Sequence, residues 1–162
     1  MRLISFLGMG DYQPTTYFWP SNQNSVQTPY VALALAKLFT PAECVILATE
    51  QAETKHFAKL KGEFMQAGLP EPILCRIHSG STEKELWDNF ERLYKLFQGQ
   101  KDILLDITHG FRAQPLFAAA VVTYAKTLDD QLSVRIVYGA FEARANNHTP
   151  IWDLNPCSLI PN

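Results

Sequence analysis

Two short segments concentrate the residue types that can hold or attack a phosphate group: Gly8-Met9-Gly10-Asp11-Tyr12 and Thr108-His109-Gly110-Phe111-Arg112. In the second, Gly110 frees the backbone beside a helix start, whose unpaired N–H groups and dipole favour an anion. Arg112 adds a permanent charge on a bidentate fork. This is the chemistry of a phosphate site; the alternative is that Gly110 only makes a tight turn while Arg112 pairs with Asp106 or Glu142. Three more clusters rich in glycine and hydroxyl groups, Thr49-Glu50, Ser79-Gly80-Ser81-Thr82 and Gly139, offer hydrogen bonds and room for close approach. Tyr12, Tyr17 and Trp19 are placed either to stack on a base or to pack within their own segment. Of the four histidines only His109 has the address of a ligand contact, with proton transfer the lesser role. His56 reads as a partly exposed surface residue, His148 as part of a polar loop, and His78 as satisfying a local backbone group.

Familiar catalytic motifs fail. Gly8-Met9-Gly10 begins like a dinucleotide fingerprint, but the third glycine position is Gln13 and Pro14 follows where a helix should run, so no nicotinamide or flavin cofactor is expected. The sequence contains no Gly-Lys-Ser/Thr phosphate loop, no His-Glu-x-x-His zinc helix and no Gly-x-Ser-x-Gly elbow. Asp106 and His109 lack a third metal ligand, and Asp106 reads as a strand-end residue that fixes the following turn. Cys44, Cys75 and Cys157 are odd in number and lack Cys-x-x-Cys spacing, so they read as reduced core residues with neither zinc nor disulfide. Neither cofactor nor metal is expected.

Apolar runs of strand length recur at Leu3–Leu7, Cys44–Ala48, Ile73–Ile77, Ile103–Ile107 and Val134–Tyr138, separated by helical patterns. That alternation predicts an α/β domain with a mainly parallel sheet. Ligands of such sheets bind beyond the carboxyl ends of the strands, where strand order reverses. With the order 3-2-1-4-5, strands one and four are neighbours, and the two most distinctive loops meet.

The first helix is expected from Thr28-Pro29, and the second carries Phe57, Leu60, Phe64 and Ala67 before Gly68. The third starts on a Thr82/Glu85 capping box with Leu86, Phe90, Leu93 and Phe97 along one stripe, and Trp87 reads as core. The fourth has Pro115 in its first turn and no charge from Leu116 to Ala125, so its own sheet or a second subunit should cover it on more than one side. Tyr12 to Ala36 runs 25 residues without a charge and contains three prolines. Alternation over Thr15–Trp19 and the turn chemistry of Ser21–Asn24 predict a β-hairpin inserted at about residues 13–27.

The 162 residues correspond to a single domain, 47% hydrophobic and 19% charged. Fourteen Lys and Arg against 16 Asp and Glu give a net charge of −2, which argues against long nucleic acid or anionic lipid as a partner. The longest apolar stretch, Ala113–Ala125, is 13 residues against the about 20 a membrane span needs. The N-terminus lacks a signal-peptide core. A cytoplasmic location is the expectation.

Leu104-Leu105-Asp106-Ile107-Thr108-His109-Gly110-Phe111-Arg112 with Pro115, the opening Ile4-Ser5-Phe6-Leu7-Gly8-Met9-Gly10-Asp11-Tyr12, and the Thr16-Tyr17 hairpin together resemble the CRISPR-associated Rossmann fold (CARF) sensor domains of type III CRISPR systems. The resemblance implies a Rossmann-like three-layer fold and a homodimer holding a cyclic oligoadenylate, usually the four-adenylate ring, across its two-fold axis. It implies contacts from Gly8, Met9, Gly10, Asp11 and Tyr12 and from Thr108, His109, Gly110, Phe111 and Arg112. Thr49, Glu50, Ser79, Gly80, Ser81 and Thr82 are its outer positions, and Tyr17 joins them from the hairpin. Family members often carry an effector ribonuclease with an Arg-x4-6-His motif. The nearest approach here, Arg144 to His148, has three intervening residues, so any effector lies on another segment or another protein. A metal-independent ring nuclease is the alternative, with Thr108, His109 and Arg112 as the groups that would position and cleave the ring. An unrelated small-nucleotide enzyme on the same fold is a further one.

Overall fold

The computed structural model describes residues 1–155; the Cys157 assignment falls outside them. Fifteen elements follow in order, beginning β1 (Arg2–Leu7), β2 (Thr15–Phe18), β3 (Ser25–Thr28), α1 (Val31–Phe39) and β4 (Glu43–Ala48). A broken helix comes next: α2 (Glu50–Ala52), a π-helical turn (Glu53–Phe57) and α3 (Ala58–Gln66). Then come β5 (Ile73–Arg76), α4 (Glu83–Phe97), β6 (Asp102–Asp106), α5 (Gln114–Leu128), β7 (Ser133–Gly139), a 3-10 turn (Phe141–Ala143) and β8 (His148–Asp153).

The sheet runs β3-β2-β8-β7-β6-β1-β4-β5. Its parallel centre, β5-β4-β1-β6-β7, has the expected reversal at β1, which pairs with β4 on one side and β6 on the other. Side chains alternate through β1 and build a core on each face. Leu3 and Leu7 join α1 and α3, whereas Ile4 and Phe6 join α4 and α5. Helices cover both faces, giving the three layers of a Rossmann-like fold.

The hairpin forms: β2 and β3 pair antiparallel, Thr15 opposite Thr28. It is also part of the main sheet, because β2 pairs parallel with β8, which turns back antiparallel onto β7. Thr15 and Thr149 lock this junction through a buried 2.7 Å hydroxyl pair.

Two local expectations are corrected. Thr28 does not cap α1, because its backbone is committed to the hairpin ladder. The helix starts at Val31 with Tyr30 extended before it, and the Thr28 hydroxyl only accepts the Tyr30 N–H. Trp87 is 63% exposed, since it lies off the Leu93–Phe97 stripe of α4. Helix α5 turns Ala118, Val121 and Ala125 to the sheet and meets α4 through Tyr124, which packs against Phe90 and Tyr94, while Leu116 is 75% exposed in the single chain.

Candidate functional site

The loop after β1 is folded back on itself and held from the broken helix. Gly8 N–H donates to the Tyr12 hydroxyl at 2.7 Å. Lys55 donates to the Met9 carbonyl at 2.8 Å and pairs with Asp11 at 2.7 Å. His56 meets the Gly10 carbonyl at 2.7 Å through Nε2, so this nitrogen carries the proton and Nδ1 is left to accept the Tyr30 hydroxyl at 3.2 Å. His56 is thus a buried clamp residue with both ring nitrogens satisfied, not a surface one. The π-helical turn causes the change. One extra residue per turn rotates Lys55 and His56 toward the loop, and such bulges recur at functional sites.

Tyr12 is the middle of a three-ring stack. Its ring lies 4.6 Å from that of His56 at 23° and 4.2 Å from that of His109 at 28°, which places the imidazoles on opposite faces. Both faces being covered, Tyr12 is not free to stack on a base in this arrangement. Burial pushes its hydroxyl pKa up to about 12. Glycine at positions 8 and 10 serves this fold-back: a Cβ on Gly8 would come within 2.9 Å of the Tyr12 hydroxyl, and one on Gly10 within 3.0 Å of its ring.

The loop after β6 is anchored by Asp106, which is fully buried. One carboxylate oxygen accepts the Ser5 hydroxyl at 2.6 Å; the other accepts the N–H of Thr108 at 3.0 Å and its hydroxyl as well. Burial raises the Asp106 pKa, and these bonds oppose the rise. Gly139 N–H donates to the Thr108 hydroxyl at 2.8 Å, so that oxygen is occupied on both sides and ties β6 to β7. His109 Nε2 is buried without a hydrogen-bond partner, and burial holds the imidazole neutral with a pKa near 4. Arg112 has a left-handed backbone, φ 52°, and its guanidinium sits 4.8 Å over the exposed Phe111 ring. It pairs with neither Asp106, which is buried against Ser5, nor Glu142, which accepts the Tyr138 hydroxyl at 2.6 Å.

A cleft of about 440 Å³ opens where β1, β4 and β6 end. Gly8, Met9, Gly10, Tyr12, Thr49, Ser79, His109, Gly110 and Phe111 line it, so the strand-end loops singled out in the sequence do converge. Among the described residues the N–H groups of Met9, Gly10 and Asp11 make no hydrogen bond; Met9 and Gly10 line this cleft. Asp11, Tyr17 and Thr108 line a second cavity of about 280 Å³ beyond β7. Tyr17 is 2% exposed, too deep to offer a face to a base. Trp19 packs edge-on against Phe39, away from both cavities. Arg112, Glu50, Gly80, Ser81 and Thr82 line neither: Glu50 faces Arg76, and Ser81 and Thr82 are spent on the start of α4.

Gln51, Ala52 and Gln114 line the cleft without having been expected there. Gln114 accepts the Phe111 N–H at 2.7 Å, which orients the start of α5, and its amide N–H groups remain for a ligand. Neutral amides carry no charge or motif to draw attention in a sequence. Among the described residues no three His, Cys, Asp or Glu side chains converge on a metal position. No helix among them is long and apolar enough to cross a membrane.

Comparison with known proteins agrees with this geometry. The sequence model of the family described as CRISPR system endoribonuclease Csx1, CARF domain, matches residues 2–142. A CRISPR-associated protein of Methanocaldococcus jannaschii is 28% identical over 117 residues, covering 67% of this chain and 18% of its own length. The chain therefore spans under a fifth of that relative. Strand order, the paired loops at the switch point and the family match lead to one conclusion: this chain belongs to the CARF domain family of type III CRISPR systems.

Proposed function

We propose that the domain is the sensor that binds cyclic oligoadenylate, most simply cyclic tetra-adenylate, between two copies of itself. The observation that carries this reading is the cleft at the β1/β6 switch point, where a glycine loop with unpaired N–H groups faces the start of α5. Free backbone donors and a helix start can hold an anion without a basic surface, which suits a chain of net charge −2. CARF domains bind cyclic oligoadenylates in CRISPR systems and are often linked to effector domains. The exposed apolar side chains Phe111, at the cleft, and Leu116, in the first turn of α5, support pairing of two copies there. Arg112 lines neither cavity and stacks on Phe111, whose ring does line the cleft; in this reading it turns to a ring phosphate when the second copy and the ligand are bound.

Binding is favoured over cleavage of the ring. The Thr108 hydroxyl is committed to Asp106 and Gly139, and His109 turns a buried nitrogen away from solvent. Both would have to rearrange before they could position or transfer a proton. Arg112→Ala is the test of the phosphate assignment. Loss of one charge-assisted contact should weaken cyclic tetra-adenylate binding about tenfold or more by calorimetry. Unchanged affinity removes Arg112 from the site.

A further inference from the structure

The two cavities share only two wall residues, Tyr12 and His109. Tyr12 therefore stands as a partition between a space of about 440 Å³ and one of about 280 Å³. The slot that it fills is built for a flat ring. Its walls are the imidazoles of His56 and His109, at 4.6 and 4.2 Å from the phenol ring. Its floor is Gly8 and Gly10, where any side chain would collide with the ring, and the Gly8 N–H supplies a hydrogen-bond donor. A planar heteroaromatic ring with an acceptor at its edge fits that description as well as a phenol does.

The occupant is also removable. Tyr12 is only partly buried and its hydroxyl is held by the single bond to Gly8; Lys55 and His56 tie the backbone of Met9 and Gly10 and the Asp11 carboxylate, so it is the Tyr12 side chain that swings out while the loop stays clamped. The closed arrangement leaves His109 Nε2 buried and unpartnered, a polar group whose need is unmet while the stack is in place. A purine entering the slot regains both ring stacks and the Gly8 donor, so displacement of Tyr12 exchanges like for like.

We propose that the slot between His56 and His109 is a purine-binding site in which Tyr12 is a built-in stand-in, displaced when an adenine ring enters. Displacement joins the two cavities into one. The inference rests on the reading of the cleft as an adenylate site. It adds that apparent affinity is reduced by the fraction of molecules in which Tyr12 occupies the slot.

The test uses the full chain and cyclic tetra-adenylate. Tyr12→Phe keeps the ring and drops the Gly8 bond; Tyr12→Ala empties the slot. Calorimetry should show both binding more tightly than the unaltered protein, Tyr12→Ala by about fivefold or more, as the self-occupied fraction disappears. In the unaltered protein, ligand addition should shift the imidazole carbon-bound proton signals of both His56 and His109 in NMR spectra. Should Tyr12→Ala fail to fold, Tyr12→Phe and the imidazole signals decide. Binding with unmoved imidazole signals, or with Tyr12→Phe no tighter, overturns the stand-in and leaves the sensor reading intact. No binding by the unaltered protein or by folded Tyr12→Phe overturns the sensor reading, and the inference with it.

Discussion

The Tyr12 hydroxyl lies 2.7 Å from the backbone nitrogen of Gly8, in space that a methyl group on residue 8 would enter to within 2.9 Å. The absence of a side chain at position 8 makes room for the folded-back tyrosine first and for the His109 carbonyl, 3.3 Å from the same point, second. Gly8→Ala should cost about 1–3 kcal/mol in chemical unfolding, as overpacking does. Most of that cost should vanish in a Tyr12→Ala background, with a coupling of about 1 kcal/mol or more. Equal costs in both backgrounds would mean that the glycine answers to something else.

Asp106 predicts a sharp contrast between two substitutions. Asp106→Ala leaves the Ser5 hydroxyl and the Thr108 N–H and hydroxyl without their acceptor, and should destabilise by about 3 kcal/mol or more. Asp106→Asn retains an acceptor for Thr108, and the Ser5 hydroxyl can turn to accept, so it should cost about 1 kcal/mol or less. The buried carboxyl also has a raised pKa, so the folded state holds its proton more tightly than the unfolded chain. Its contribution to stability falls as pH rises through that pKa, and the asparagine variant should lack this fall. Thermal melts in which alanine and asparagine behave alike would contradict the anchor role.

His109 titrates in the opposite sense. Burial lowers its pKa from 6.5 to about 4, so between those values the unfolded chain binds the extra proton. Its contribution is fully present above pH 6.5 and is lost as pH falls toward 4. The total is of the order of 3 kcal/mol. His109→Phe keeps a ring against Tyr12 and removes the titration. The difference between the two stability curves should therefore grow from pH 6.5 down to 4, and parallel curves would contradict it.

Helix α5 presents Leu116 at 75% and Leu128 at 60% exposure, with no charge from Gln114 to Ala125. If this face joins two copies, the protein should sediment as a dimer. Leu116→Glu should sediment as a folded monomer with cyclic tetra-adenylate affinity reduced at least about tenfold, since a buried unpaired carboxylate is costly. A monomeric unaltered protein that still binds the ring would place the site within one chain.

The parallel centre of the sheet was legible because buried strands read as continuous apolar runs, and the loops beyond them stand out by glycine and hydroxyl content. The hairpin was legible from proline spacing and turn residues. Its seat in the sheet was not, because pairing of Tyr17 with Thr149 is a contact across most of the chain. His56 was misread for a local reason. An apolar stripe at helical spacing puts it beside Phe57 and Leu60, and only the extra residue of the π-helical turn brings it round to Gly10. Tyr12 was read as stacking on a base or packing within its own segment; its stack with His56 and His109 was not legible, because those rings meet it from different elements. Thr28 had the residue type of a helix cap, and the hairpin ladder outweighed that preference.

Incubation of the pure protein with cyclic tetra-adenylate and cyclic hexa-adenylate, following retention and products by liquid chromatography, tests the central claim most directly. The sensor account expects cyclic tetra-adenylate to be retained intact, one ring for every two chains. Conversion to linear di-adenylate bearing a 2′,3′-cyclic phosphate would make the site an enzyme that ends the signal. Retention of neither ring would contradict the account.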